Sequence, residues 1–226
     1  MVRQIGFEIG EWYHCFTRGI DGRETFRDVN DYERFLSLIY AANSEVPVTL
    51  FNERKQKFLD ILKLERKGKI VAVGAYCLMP NHYHLLLKEK TEKGISRFMQ
   101  KLGTGYVMYF NLKYQRLGNL FAKPFRAKYL SEDAYFQRVV SYIHLNPAEL
   151  FEPGWKEGVV KDMQKFQLQL GAYPYSSLKD YEDRNFLTGK LIDPEVFEIY
   201  QGGSFLEILS EARGYYQELH EVTPQY

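Results

Sequence analysis

Four residues carry types and spacings that could do chemistry: His82 and His84, two apart, and Tyr142 and Asn146, four apart. In an extended strand, side chains at i and i+2 leave the same face. The two imidazoles then stand roughly 6–7 Å apart at Cβ, near enough to grip one divalent ion. Two ligands do not complete a metal site, so a third must come from elsewhere in the chain. Without that third ligand, His82-Tyr83-His84 reads equally as an ordinary half-buried strand pair.

The elements that must position these residues can be read from pattern. Pro80-Asn81 is a turn signal, and Leu85, Leu86 and Leu87 continue a buried strand behind the histidines. Residues 70–78 are β-rich, so they and 82–88 form an antiparallel hairpin across the short turn at 79–81. Over 132–146, Phe136, Val139, Val140 and Ile143 form an apolar stripe of helical period. Tyr142 and Asn146 share one ridge just beside it, with Arg138 on the same flank. Pro147 disfavours helical geometry at Asn146, so the helix should stop there. Read by spacing alone, Tyr142 is also simply one of 18 tyrosines and Asn146 a helix-terminal residue.

The remaining chain supplies a sheet and its cover. Trp12 to Arg18 reads as a first strand, in which His14 is a packed residue rather than a ligand. Asn30 reads as the N-cap of a helix over 31–42, with Tyr32, Phe35, Leu36 and Ile39 at helical spacing. Residues 43–69 contain a break at Pro47 and a second, peripheral helix. A long helix runs over 95–116, with Arg97, Lys101, Lys113 and Arg116 on its polar face. Residues 121–130 read as a strand with Arg126 and Lys128 on one face, and Ser131 as the cap of the next helix. Four strands with packed helices, in the order β-α-(α)-β-β-α-β-α, predict an α+β, ferredoxin-like four-stranded antiparallel sheet. Residues 149–226 form a C-terminal extension, punctuated by glycines, with a last short helix near 206–209.

Composition is that of a globular protein, 45% hydrophobic and 26% charged, without repeats. The chain lacks an apolar run of 18 residues, and residues 1–6 do not open like a signal peptide, so a cytoplasmic protein with no membrane span is expected. Cys15 and Cys77 read as reduced core residues. The net charge of +1 hides an asymmetry: residues 88–140 carry 11 Lys and Arg against 4 Asp and Glu, residues 149–226 carry 7 against 14. A basic segment directly after the histidine strand fits phosphate binding, and equally a solvated basic helix. Arg18 and Arg23, around the turn at 19–22, could touch a phosphate.

Taken together, Met79-Pro80-Asn81-His82-Tyr83-His84-Leu85 resembles the metal-binding "HUH" motif of single-tyrosine transposases. Tyr142-Ile143-His144-Leu145-Asn146-Pro147 resembles, more narrowly, the tyrosine helix of the REP-associated tyrosine transposases. Gly118-Asn119-Leu120-Phe121 through Arg126 and Tyr173-Pro174-Tyr175-Ser176-Ser177 also look like that family. The resemblance implies a catalytic domain over 1–148, with the acidic extension 149–226 packing on it. It implies metal-dependent cleavage and strand transfer of single-stranded or hairpin DNA through a 5′-phosphotyrosine. Carried over by position, Tyr142 is the nucleophile, and His82, His84 and Asn146 hold Mg²⁺ or Mn²⁺. Tyr83 departs from the commoner aliphatic or Phe, on the side facing away from the metal. The DNA-binding set expected from the basic residues is Arg18, Arg97, Lys101, Lys123, Arg126, Lys128 and Arg138, in a monomer or homodimer.

The chemistry accounts for the parts. A phosphodiester is anionic and repels nucleophiles, so a cation must neutralise it. A tyrosine with an ordinary pKa near 10 needs nearby positive charge to become a phenolate. Two alternatives share the same features: a domesticated protein that binds structured single strands without cutting, and a metalloenzyme acting on a small phosphorylated substrate.

Overall fold

The computed structural model describes residues 6–48, 58–182 and 190–222, with side chains up to residue 218. Four strands, β1 (Trp12–Arg18), β2 (Val71–Met79), β3 (His82–Glu89) and β4 (Arg126–Tyr129), form one antiparallel sheet in the order β2-β3-β1-β4. Read from the other edge this is 4-1-3-2, the order of a ferredoxin-like split βαβ arrangement. The helices are α1 (Val29–Ala42), α2 (Phe58–Ile61), α3 (Gly94–Lys113) and α4 (Asp133–Leu145), then α5 (Ala148–Phe151), α6 (Met163–Gly171), α7 (Leu178–Glu182), α8 (Val196–Ile199) and α9 (Phe205–Val222).

The sheet is covered on both faces, and β2 is buried at every position. On one face Tyr83 packs against Phe35 of α1 and against Phe121, and Phe35 meets Tyr106 of α3. On the other face α4 lies across β2 and β3, with Phe136 edge-on to Trp12. Helix α9 packs along α4 and buries Leu209, Ala212 and Tyr215. The open edge of β2 is closed by the extension: Leu78 N–H donates to Tyr175 O (2.9 Å), and Ser177 N–H to Tyr76 O (3.0 Å). Such an edge left bare would expose unpaired backbone groups to another chain. Cys15 and Cys77 are buried free thiols. No helix among the described residues is long and apolar enough to cross a membrane.

Several boundaries differ from the sequence reading, each for a local reason. Helix α1 is capped by Asp28 rather than Asn30, because the Asp28 side chain accepts from Asp31 N–H. Glu132, not Ser131, occupies the N-cap of α4, in extended geometry and without a side-chain capping bond. The strand expected over 121–130 pairs only at 126–129, apart from a single bridge of Phe121 to Gly19. Asn146 keeps helical torsions (φ −53°, ψ −40°) despite Pro147, and α5 restarts two residues later. The last helix is 18 residues long, not the short helix expected near 206–209.

Candidate functional site

Strand register gathers the histidines onto one face. Residues directly opposite across β1, β3 and β4 include Arg18 with His82, Phe16 with His84 and Arg126, and His14 with Lys128. Period-2 alternation therefore places His14, Phe16 and Arg18, His82 and His84, and Arg126 and Lys128 on the α4 side of the sheet. Helix α4 brings Tyr142 and Asn146 down onto the same face. The Tyr142 ring stands edge-on to His84, 5.3 Å between centroids at 89°, and the His82 and His84 rings are 5.1 Å apart at 90°.

The hydrogen bonds at His82 leave a contact that two protein groups alone cannot satisfy. Asn146 donates through Nδ2 to the Tyr142 carbonyl (3.1 Å), which turns its Oδ1 toward His82 Nε2 at 3.2 Å. Asn81 donates through Nδ2 to Gly22 O (3.3 Å), which turns its Oδ1 toward His82 Nδ1 at 2.6 Å. His82 thus faces two acceptor oxygens, and a neutral imidazole carries only one N–H. With that proton on the shorter Nδ1 side, the Nε2 lone pair confronts the Asn146 oxygen. A cation lying between them would satisfy both. Two donors about 2.1 Å from an octahedral ion, at right angles, stand about 3 Å apart, close to the separation seen here. Among the described residues no group of three or more His, Cys, Asp or Glu could hold a metal. The donors that meet on this face are two imidazoles and one amide oxygen, of His82, His84 and Asn146, a set whose chemistry is compatible with a divalent ion.

His84 is braced from behind. Its Nδ1 lies 2.8 Å from His14 Nε2, and His14 Nδ1 lies 2.8 Å from the Tyr215 hydroxyl. That leaves His84 Nε2 as the nitrogen available to the site. Burial lowers the pKa of all three histidines. It takes His14 to about 3, helped by the Lys128 charge, and takes His84 well below the usual range, helped by its two histidine neighbours. At His82 burial outweighs the opposing pull of Asn146. Neutral imidazoles are the form that ligates a metal. Burial likewise raises Tyr142 well above an ordinary phenol, and the Asn146 side chain pulls it part of the way back. Tyr142 is 9% exposed.

The residues expected to bind DNA fall into separate groups. Arg18 and Arg126 lie on the histidine face. Lys128 shares that face, but its ammonium sits over the Tyr135 and Tyr215 rings, at 4.8 and 5.1 Å. Lys123 is exposed in the loop before β4. Arg138 pairs with Glu218 of α9 (2.6 Å). Arg97 and Lys101 belong to α3, on the opposite face of the sheet, where Lys101 donates to Ser44 O (2.8 Å). Arg23 is bonded within its own turn, to Ile20 O and Asp21. Two residues at the site escaped sequence reading, His14 as a partner of His84 and Tyr215 from the extension. The i, i+2 spacing of His14 and Phe16 signals only a shared face, and no local pattern points to Tyr215.

Residues 36–146 match the family described as "Transposase IS200 like", a span running from α1 to Asn146 that contains His82, His84 and Tyr142. Among solved structures the chain is similar to "Structure of the REP associates tyrosine transposase bound to a REP hairpin". Identity there is 14% and the TM-score 0.49, covering 81% of this chain and 86% of that one. No curated protein matches the chain.

Proposed function

Residues 36–146 belong to the IS200-like transposases, and from that premise we propose that this chain cuts and rejoins single-stranded DNA beside a hairpin, using Tyr142. The observation that carries the reading is the convergence of two imidazole donors, an amide oxygen and a phenol on one sheet face. The Tyr142 oxygen attacks the phosphorus and the bond to the 3′ oxygen breaks. The proton lost by the phenol balances the proton gained by the leaving oxygen. A 5′-phosphotyrosine and a free 3′-hydroxyl result, and the phosphodiester energy is kept for strand joining. His82, His84 and Asn146 would hold Mg²⁺ or Mn²⁺, which supplies charge neutralisation at the phosphate and favours the phenolate. Arg18, Arg126 and Lys123 hold the backbone: Arg18 and Arg126 lie on the histidine face, Lys123 is exposed in the loop before β4, and none is in an ion pair among the described residues, while the Lys128 ammonium on that face is occupied by the Tyr135 and Tyr215 rings. The cutting unit is residues 1–148, with the extension 149–226 packed on it.

The test is a labelled hairpin oligonucleotide with a single-stranded flank, incubated with the full chain and Mn²⁺. The unaltered protein forms a covalent adduct that survives denaturing gels, and Tyr142→Phe forms none. An adduct formed by Tyr142→Phe would sink the assignment. The burial of Tyr142 favours a second reading, binding without cutting, since a phenol this enclosed must be uncovered before a phosphate can reach it. Salt-sensitive binding by the unaltered chain with no adduct on any hairpin would favour that reading.

A further inference from the structure

The extension contributes a side chain whose polar atom reaches the site through one intermediary. Tyr215 of α9 is fully buried, its ring 5.0 Å from that of Tyr142, and its hydroxyl lies 2.8 Å from His14 Nδ1. His14 is fully buried too, with its other nitrogen 2.8 Å from His84 Nδ1. A hydrogen bond between two imidazole nitrogens holds one proton, so this row has only two polarities. In the first, His84 Nδ1–H donates to His14 Nε2 and His14 Nδ1–H donates to the Tyr215 oxygen, leaving His84 Nε2 with a lone pair. In the second, Tyr215 O–H donates to His14 Nδ1 and His14 Nε2–H donates to His84 Nδ1. That leaves a proton on His84 Nε2, where a cation would have to bind.

We infer that His14 and Tyr215 are positioning residues for cation binding: the Tyr215 oxygen, by accepting from His14 Nδ1–H, supports the tautomer in which His84 offers Nε2 to the metal. The inference rests on the reading of His82, His84 and Asn146 as the metal set. A ligating histidine generally needs such a partner on its other nitrogen to fix its tautomer and ring orientation. Here that partner is a second histidine, oriented in turn by a residue some 200 positions away in sequence (a separation of 201). Docking of α9 and loading of the cation are thereby coupled. Without Tyr215, the first polarity leaves a buried N–H on His14 Nδ1 without an acceptor and the second leaves only a lone pair without a donor. An orphaned buried N–H is the less tolerated of the two, so the polarity that blocks His84 becomes the better one.

The experiment is Mn²⁺ titration of the full chain, followed by calorimetry and by the loss of free-ion EPR signal. Tyr215→Phe should weaken Mn²⁺ binding about 10–100-fold, the usual cost of losing an outer partner of a ligand. Tyr181→Phe serves as the control. It removes another hydroxyl of the extension, one bonded to Gly74 O at 2.7 Å, and should leave affinity unchanged. Equal affinity in Tyr215→Phe and the unaltered chain, with His82→Ala abolishing binding, overturns the inference while the metal site stands. No Mn²⁺ binding by the unaltered chain overturns the site and the inference together. Should Tyr215→Phe fail to fold, long-range ¹H–¹⁵N spectra of the Mg²⁺-loaded, unaltered protein decide. Both His14 and His84 must be protonated at Nδ1, and an Nε2 proton on either overturns the inference.

Discussion

At His82 the decisive neighbour is Asn81, whose Oδ1 lies 2.6 Å from Nδ1 while its own amide donates to Gly22 O. The turn thus holds the imidazole with Nε2 toward Asn146. Asn81→Ala is expected to weaken Mn²⁺ binding about 10–100-fold, and Asn81→Asp, which keeps an acceptor at that place, to retain it. Calorimetric titration of the two variants checks this, and equal weakening in both would show that only the turn mattered. The two pairs at the centre were legible in the sequence because their relations are local, while their union in one site came from the family resemblance and not from spacing. An i, i+2 pair on a strand and an i, i+4 pair on a helix need no knowledge of the rest of the fold. His14 reaches His84 only through the register of β1 against β3, and Tyr215 only through the docking of α9. Both relations are tertiary.

At the scale of elements, hydrophobic period gave most helices and strands, while boundaries followed side-chain bonds that pattern does not show. The joint between β3 and α3 illustrates this. Glu89 is fully buried at the end of β3, and its carboxylate accepts from Gly94 N–H (2.9 Å) and Ile95 N–H (2.6 Å) at the start of α3. An anion there satisfies donors that the first helical turn leaves unpaired. Gly94 has ordinary helical placement, yet a Cβ on it would collide with the Ile70 carbonyl of the strand approach. The usual helical gain of Gly→Ala, about 0.5–1 kcal/mol, should therefore be reversed. Gly94→Ala is expected to destabilise by about 1–3 kcal/mol, the range for forced overpacking, read from the midpoint of urea unfolding. A gain in stability would mean that helix and strand are not in such close approach. Helix α9 was underestimated for a different reason: Leu209, Ala212 and Tyr215 keep helical spacing, but it is packing along α4 that holds them in one long helix.

Across the whole molecule, the opposite charges of the basic middle and the acidic extension meet at identifiable seams. Arg138 pairs with Glu218, and Lys88 and Lys90 of the β3 end both pair with Glu195, at 2.9 and 2.5 Å. Next to Glu195, Asp193 donates its N–H to Val73 O and pairs with Lys69 at 2.9 Å. Part of the positive charge of the basic middle is thus taken up in holding the extension, whereas Arg18, Arg126 and Lys123 enter no ion pair among the described residues. The bonds from Lys90 and Lys88 hold the Glu195 carboxyl below its ordinary pKa. A carboxylate with a depressed folded-state pKa stabilises fully above its unfolded value, and the contribution disappears as pH falls through the folded one. Glu195 is partly exposed, so water and salt screen the pairs and the gain is about 1 kcal/mol or less. Glu195→Gln should therefore unfold in less urea than the unaltered chain at about pH 7, and the two should converge as pH falls through the lowered folded-state pKa of Glu195, below which both side chains are neutral. High salt at neutral pH should shrink the difference in the same direction. If the difference persists undiminished at low pH, the contribution of Glu195 is packing, and charge is not what closes this seam.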